Sequence, residues 1–88
     1  MTNEEIKEYL CDRGLEDTVV FENPSYETAF IGLSHDDRPV YDYEKMIEYL
    51  VETDGMTEED AIEFIDYNTI RALPYYPNGP IVIYPTIY

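Results

Sequence analysis

Tyr43, Met46, Ile47, Leu50 and Val51 follow one another at steps of three, one, three and one, the spacing that lines one face of an α-helix. That run predicts a helix over residues 42–53. Gly55 ends it, because glycine takes the left-handed position after a last turn without strain. Thr57 with Asp60 opens a second helix in the form of a capping box, and Glu58, Glu59 and Asp60 stand against the positive end of its dipole. Ala61, Ile62, Ile65, Thr69 and Leu73 make its inward stripe. The link from Thr53 to Met56 is short enough to pack the two helices side by side as an αα-hairpin. Pro74 stops the second helix, since it lacks an N–H and restricts the residue before it.

The rest of the chain reads as one helix and a few short strands. Thr2 and Glu5 have capping-box spacing, and Ile6, Tyr9 and Leu10 share a face, which predicts a helix over about 3–13 closed by Gly14 with Leu15 folding back on its end. Val19-Val20-Phe21 within 18–22 is β-branched and aromatic, Asn23-Pro24-Ser25 supplies a turn, and Thr28–Leu33 follows, together a predicted β-hairpin. Ser34–Pro39 is a polar turn, and Val40-Tyr41 adds a short strand. After Pro74 the chain carries Pro77, Pro80 and Pro85 and no charge, with Ile81–Tyr84 suited to an edge strand and the remainder to a tail. The expected fold class is α+β: one domain over 1–88, with a small, mostly antiparallel sheet, an N-terminal helix and the packed αα-hairpin.

Charge narrows function. The chain has 88 residues with 20 Asp plus Glu against 5 Lys plus Arg, a net charge of −15. Its hydrophobic fraction of 44% is too high for a disordered acidic tail, and so strong a negative charge excludes direct binding to nucleic acid phosphates. No apolar run is long enough to span a bilayer and the first residues lack a basic flank with an apolar core, so a cytoplasmic protein of a bacterial host cell, without membrane contact, is expected. The single Cys11 makes no intrachain disulfide and reads as an ordinary buried or half-buried thiol.

The acids are not spread evenly. Ten of them, with only two bases, fall in 41–73, and none falls in 74–88. Glu4, Glu8 and Asp12 are spaced by four, as are Glu44, Glu48 and Glu52, and Glu59 repeats the spacing with Glu63. Each such like-charged pair costs about 0.2–0.5 kcal/mol on a helix, so the five pairs together cost about 1–2 kcal/mol of a typical stability of about 5–15. Two explanations stand side by side. One is a solvated face that keeps a small protein soluble. The other is an anionic surface that imitates a nucleic acid backbone before a basic protein groove. Tyr49 and Tyr67, placed outward among Glu48, Glu52, Glu63 and Asp66, suit a protein interface because tyrosine offers contact area and a ring for Arg or Lys. The candidate partner-binding residues are therefore Glu44, Glu48, Tyr49, Glu52, Glu59, Glu63, Asp66 and Tyr67. Tyr9, Tyr41, Tyr43, Tyr75 and Tyr76 are read as half-filling the core.

Catalytic and metal chemistry finds no support. His35 beside Asp36 and Asp37 is a solvated turn histidine without a second ligand at metal spacing. Glu58, Glu59 and Asp60 mark a helix start, no calcium-loop pattern is present, and the four glycines form no phosphate-cradling loop. No enzyme, cofactor or metal is expected. Asn68 interrupts the inward stripe and Arg71 is a rare cation; a buried Asn68 capping the hairpin and an Arg71 paired with an acid of the first helix account for them, with partner binding by this edge as the alternative.

The stretch from Gly32 to Tyr76, notably Val40–Met46, Asp54-Gly55-Met56-Thr57 and Asp66–Pro74, resembles small uncharacterised proteins encoded by bacterial phages and mobile elements. It covers about half the chain and brings no catalytic residues with it. What the resemblance implies is a setting: small acidic proteins of such elements are similar to inhibitors of host defence, anti-CRISPR proteins among them, which occupy the basic surface where a CRISPR effector nuclease takes guide or target. The expected function is a non-enzymatic, anti-CRISPR-like inhibitor acting by charge mimicry. The alternative is a small phage adaptor or assembly protein whose apolar C-terminal segment, through Ile81, Ile83 and Tyr84, adds a strand to a partner sheet or to a second copy of itself as a homodimer. An antitoxin for a basic toxin is a third reading of the same charge.

Overall fold

Each helix begins where the sequence supplies a cap. In the computed structural model, which describes residues 1–86, helix α1 runs Asn3–Asp12. The Thr2 hydroxyl accepts from Glu5 N–H at 3.2 Å and the Glu5 carboxylate accepts from Thr2 N–H at 2.8 Å, a reciprocal capping box. The Thr2 backbone N–H first, and then the Thr2 side chain, hold the Glu5 carboxyl below its ordinary pKa. At the other end Gly14 takes φ +74° while Leu15 N–H reaches Leu10 C=O at 2.8 Å, the six-to-one bond of a Schellman motif.

Phe30–Leu33 forms β1 and Pro39–Asp42 forms β2. They pair antiparallel across the Ser34–Arg38 turn, with a bulge between Phe30 and Gly32. Helix α2 (Tyr43–Asp54) follows β2 directly, capped by the Asp42 carboxylate on Lys45 N–H and closed by Gly55 at φ +68°. Helix α3 (Glu58–Phe64) is capped by Thr57 and packs on α2. The helical path continues through a π turn over Ile65–Thr69 and a 3-10 turn over Ile70–Tyr75 that contains Pro74. Strand β3 (Ile81–Ile83) then returns alongside β2, parallel to it, pairing Val40 with Ile81 and Tyr41 with Val82. The sheet order is β1-β2-β3.

The fold is α+β with the predicted N-terminal helix and αα-hairpin, but the sheet is mixed, not mostly antiparallel. The hairpin expected between 18–22 and 28–33 does not form. Tyr26 sits in the left-handed region at φ 48° and a 3-10 turn occupies Glu27–Ala29, so extended backbone resumes only at Phe30. Val40-Tyr41, expected as an added strand, is the central one. Residues 18–22 carry neither helix, turn nor ladder. Their apolar side chains serve the core instead: the Phe21 ring lies 4.6 Å from that of Tyr41 and 5.3 Å from that of Tyr26.

Two groups of buried side chains hold these elements. The larger joins Tyr26, Tyr41, Met46, Leu50, Ala61 and Ile65 between the sheet and the αα-hairpin; the smaller joins Ile6, Leu10 and Val20 under α1, with Phe30 packed against both. The aromatic filling differs from expectation. Tyr41 and Tyr43 are buried and Tyr9 half-buried, but Tyr75 and Tyr76 face solvent, and Tyr26 takes the central place. Val51 lies at the edge of the α2 stripe and is partly exposed, and Cys11 is exposed, not buried. No helix among the described residues is long and apolar enough to cross a membrane.

Candidate functional site

The periodicity that buries Tyr43, Met46, Ile47 and Leu50 turns Glu44, Glu48 and Glu52 to the solvent side of α2. Likewise Glu59 and Glu63 lie opposite Ala61 and Ile65 on α3. Both stripes point away from the core that the two helices share. All five glutamates are exposed, and among the described residues none has a base within ion-pair distance: the two pairs present are Lys7 with Glu22 at 2.8 Å and His35 with Asp36 at 3.9 Å. Neither α2 nor α3 carries a basic residue in its last turn, so Glu52 and Asp54 also face the negative end of the α2 dipole without compensation.

The other three candidates part company. Asp66 is exposed, yet it accepts a hydrogen bond from the Tyr43 hydroxyl at 2.9 Å. Burial of Tyr43, reinforced by that bond and by the Asp66 charge, pushes its hydroxyl up to about 12. Tyr67 is 66% exposed, with the Arg71 guanidinium 5.1 Å from its ring centre, the arrangement in which an aromatic face meets a cation. Arg71 therefore pairs with a ring and not with an acid of α1. Tyr49 does not belong to the acidic face. It is half-buried, its hydroxyl is bonded to Ser25 Oγ at 3.0 Å, and its ring lies 5.8 Å from that of Tyr26. The segment Ser25-Tyr26 covers that flank of α2, which the helix period alone does not disclose.

Asn68 is exposed instead of buried. Its side-chain amide donates to Phe64 C=O at 3.2 Å, taking the carbonyl that its own backbone N–H would use in an α-helix. In the same segment Ile70 N–H reaches five residues back to Ile65 C=O, the bond that defines a π turn. The turn sets Thr69 inward, where its hydroxyl bonds that of Tyr26 at 3.0 Å in a buried pair. Burial raises the Tyr26 hydroxyl above its ordinary pKa, against the opposing effect of this bond.

A cleft of about 420 Å³ opens between this turn and the irregular segment Val19–Pro24, with Thr69, Ala72 and Leu73 on one wall and Val19, Val20 and Phe21 on the other. The sequence reading missed it. The signals were Asn68 interrupting the inward stripe and a strand-prone run lacking a ladder. A second cleft of about 310 Å³ carries Asp17, Asp36, Asp37 and Arg38, and Arg38 ties it to the C-terminal loop through Nε to Gly79 C=O at 2.9 Å. Among the described residues no three His, Cys, Asp or Glu side chains gather closely enough to hold a metal ion. Comparisons of the chain with protein-family models, with curated proteins and with solved structures find no match.

Proposed function

We propose that this chain is a non-enzymatic inhibitor that lays the anionic face of its αα-hairpin into a cationic groove of a protein partner and so competes with nucleic acid. The observation that carries this reading is the set of five exposed, base-free glutamates, Glu44, Glu48, Glu52, Glu59 and Glu63. Successive members of each row are about 6 Å apart along a helix axis, and both helices are anchored in one core. A groove shaped to meet a regular row of phosphates responds to charge density and spacing. Fixed carboxylates supply both without the counterion cloud of a polymer. Tyr67, exposed and already stacked with Arg71, adds contact area and a hydroxyl for the partner.

The partner class is a nuclease of bacterial host defence, an RNA-guided effector above all, and the place of action is the bacterial cytoplasm. The test is inhibition of target cleavage by a panel of purified, guide-loaded RNA-guided nucleases. Inhibition of at least one member is expected, weakening steeply with salt because rim charges act over a Debye length of about 8 Å at physiological ionic strength. The triple variant Glu48→Gln, Glu52→Gln and Glu63→Gln is expected to lose most of it, chiefly through a slower association rate. Undiminished inhibition by the triple variant rejects the reading.

A further inference from the structure

We propose that the cleft between Val19–Asn23 and the Asn68–Leu73 turn receives an extended, basic peptide segment of a protein partner, which pairs with the backbone of Val20 and Glu22 and lowers an apolar side chain into the cleft. Buried backbone groups are normally paired, whereas exposed ones are open to a partner; Val20 is buried and Val19 and Glu22 are exposed. Here, among the described residues, no hydrogen bond reaches the backbone N–H or C=O of Val19, Val20 or Glu22. Phe21 alone is held, its N–H donating to the Tyr41 hydroxyl and its C=O accepting from the Asn3 amide, each at 3.4 Å. The chain therefore presents a fixed but unladdered stretch of β-prone residues. Beside it lies a cleft of about 420 Å³, within the size range of ligand-binding pockets. Free main-chain groups flanked by a side-chain pocket are the two parts of recognition by strand addition: the first gives affinity, the second selects the side chain.

The cleft's construction points the same way. Tyr26, one of its lining residues, holds φ 48° and ψ 33°, a region that bulky residues seldom occupy and that recurs at binding sites. The π turn Ile65–Thr69 supplies part of the facing wall. Charge selects the occupant. No Lys or Arg lines the cleft; its one acid, Glu22, is paired with Lys7 at 2.8 Å, so selection rests on the field of the whole molecule, which carries −15 and draws in a cationic segment while repelling an acidic one or a second copy of this chain. This inference does not depend on the hairpin glutamates.

The experiment is a titration of the uniformly 15N-labelled full chain, followed by amide NMR, with the blocked peptide acetyl-KTVFVTK-amide at about 0.3 M salt, where long-range steering is largely screened. Saturable shifts are expected at the amides of Val19, Val20, Glu22, Ala72 and Leu73, with a dissociation constant of about 1 mM or tighter. N-methylation of the peptide's central residues is expected to weaken binding at least about tenfold, as is Ala72→Trp, which fills the cleft. Because a filled cleft can perturb folding, Glu22→Lys serves as a second variant at an exposed position, where it replaces the Lys7 ion pair by two neighbouring cations. It is expected to weaken the basic peptide and to admit acetyl-ETVFVTE-amide. The triple glutamine variant of the hairpin is expected to bind the peptide as the parent does, whether or not the inhibitor reading holds. The proposal is overturned by the absence of shifts at about 5 mM peptide, by shifts confined to α2 and α3, by equal binding of the N-methylated peptide, or by equal binding of acetyl-phenylalanine amide.

Discussion

Replacing Glu48, Glu52 and Glu63 together by glutamine should make the protein more stable while making it a poorer ligand for a basic surface. The change removes three repulsive pairs at helical spacing, Glu44 with Glu48, Glu48 with Glu52, and Glu59 with Glu63, each costing about 0.2–0.5 kcal/mol. It also removes the Glu52 charge from the last turn of α2, where no base offsets the dipole, for a further gain of about 0.3–1 kcal/mol at low ionic strength. Glutamine has nearly the helix propensity of glutamate, and none of the three side chains makes a hydrogen bond or ion pair among the described residues, so little is lost in exchange. The net expectation is about 1–2 kcal/mol, or a rise in Tm of about 5–15 °C for a domain of this size. Thermal and urea unfolding by circular dichroism at about 0.01 M and 1 M salt checks it, because the Debye length falls from about 30 Å to about 3 Å between them. The gain should nearly vanish at the higher salt. A variant that is no more stable than the parent at low salt refutes the premise that these carboxylates stand uncompensated. A variant that is more stable and equally inhibitory leaves the solvated-face explanation as the correct one.

Tyr26→Phe should cost about 1–2 kcal/mol by orphaning the buried Thr69 hydroxyl, and adding Thr69→Val should recover much of that, so a urea double-mutant cycle should show clear coupling between the two positions. Alkaline unfolding should begin early. Burial above all pushes the Tyr41 and Tyr43 hydroxyls up to about 12, whereas the unfolded chain releases these protons near about 10. Stability is therefore full below about pH 10 and lost as pH rises toward 12; Tyr43→Phe should make that decline shallower when unfolding is measured at each pH. Gly55→Ala should cost about 1 kcal/mol from backbone strain alone, since φ is +68° and no atom lies within 4 Å of the added carbon. Gly55→Asn should cost less in the same denaturation assay, because Asn tolerates the left-handed region better.

The helices were legible because their information is local. Caps at Thr2 and Thr57, stops at Gly14 and Gly55, and the apolar steps from Tyr43 to Leu50 act within one or two turns, and only the Asp42 cap of α2 went unread. The sheet was less so. Pairing of β2 with β3 joins residues about forty apart, and nothing in the Ile81–Ile83 run specifies a parallel partner. Val19-Val20-Phe21 was misread for an instructive reason: β propensity measures how well a side chain fits a half-buried surface, and Phe21 and Val20 satisfy that preference by packing under Tyr41 and α1 without joining a ladder. At the acidic face the exposed glutamates followed from spacing, whereas Tyr49 did not, because its cover comes from Ser25 and Tyr26. The cleft was hidden for the same reason. Its walls are a π turn over Ile65–Thr69 and a segment ending in a left-handed Tyr26, neither of which has a periodic signature.

The two places where this chain could take up a partner's strand are physically unequal. β3 is three residues long, lies between Pro80 and Pro85, and has β2 on one side. In a parallel pair only alternate residues turn their main-chain groups to the free side, so β3 offers one or two donors, and short length with flanking prolines is how proteins blunt an edge. Val19–Glu22 has no proline, free donors and acceptors on one side at Val20 and Glu22, and a cleft alongside for a side chain. Strand addition is thus better served by the irregular segment than by the apolar C-terminal strand. Deleting 80–88 would not separate the readings, because it would strip Val82 from the core and unpair the central strand at Tyr41. Any loss of binding would then report loss of fold. Point changes at Glu22 and Ala72 leave the ladder and all three helix caps in place, the first giving up the exposed Lys7 pair, and so address recognition itself.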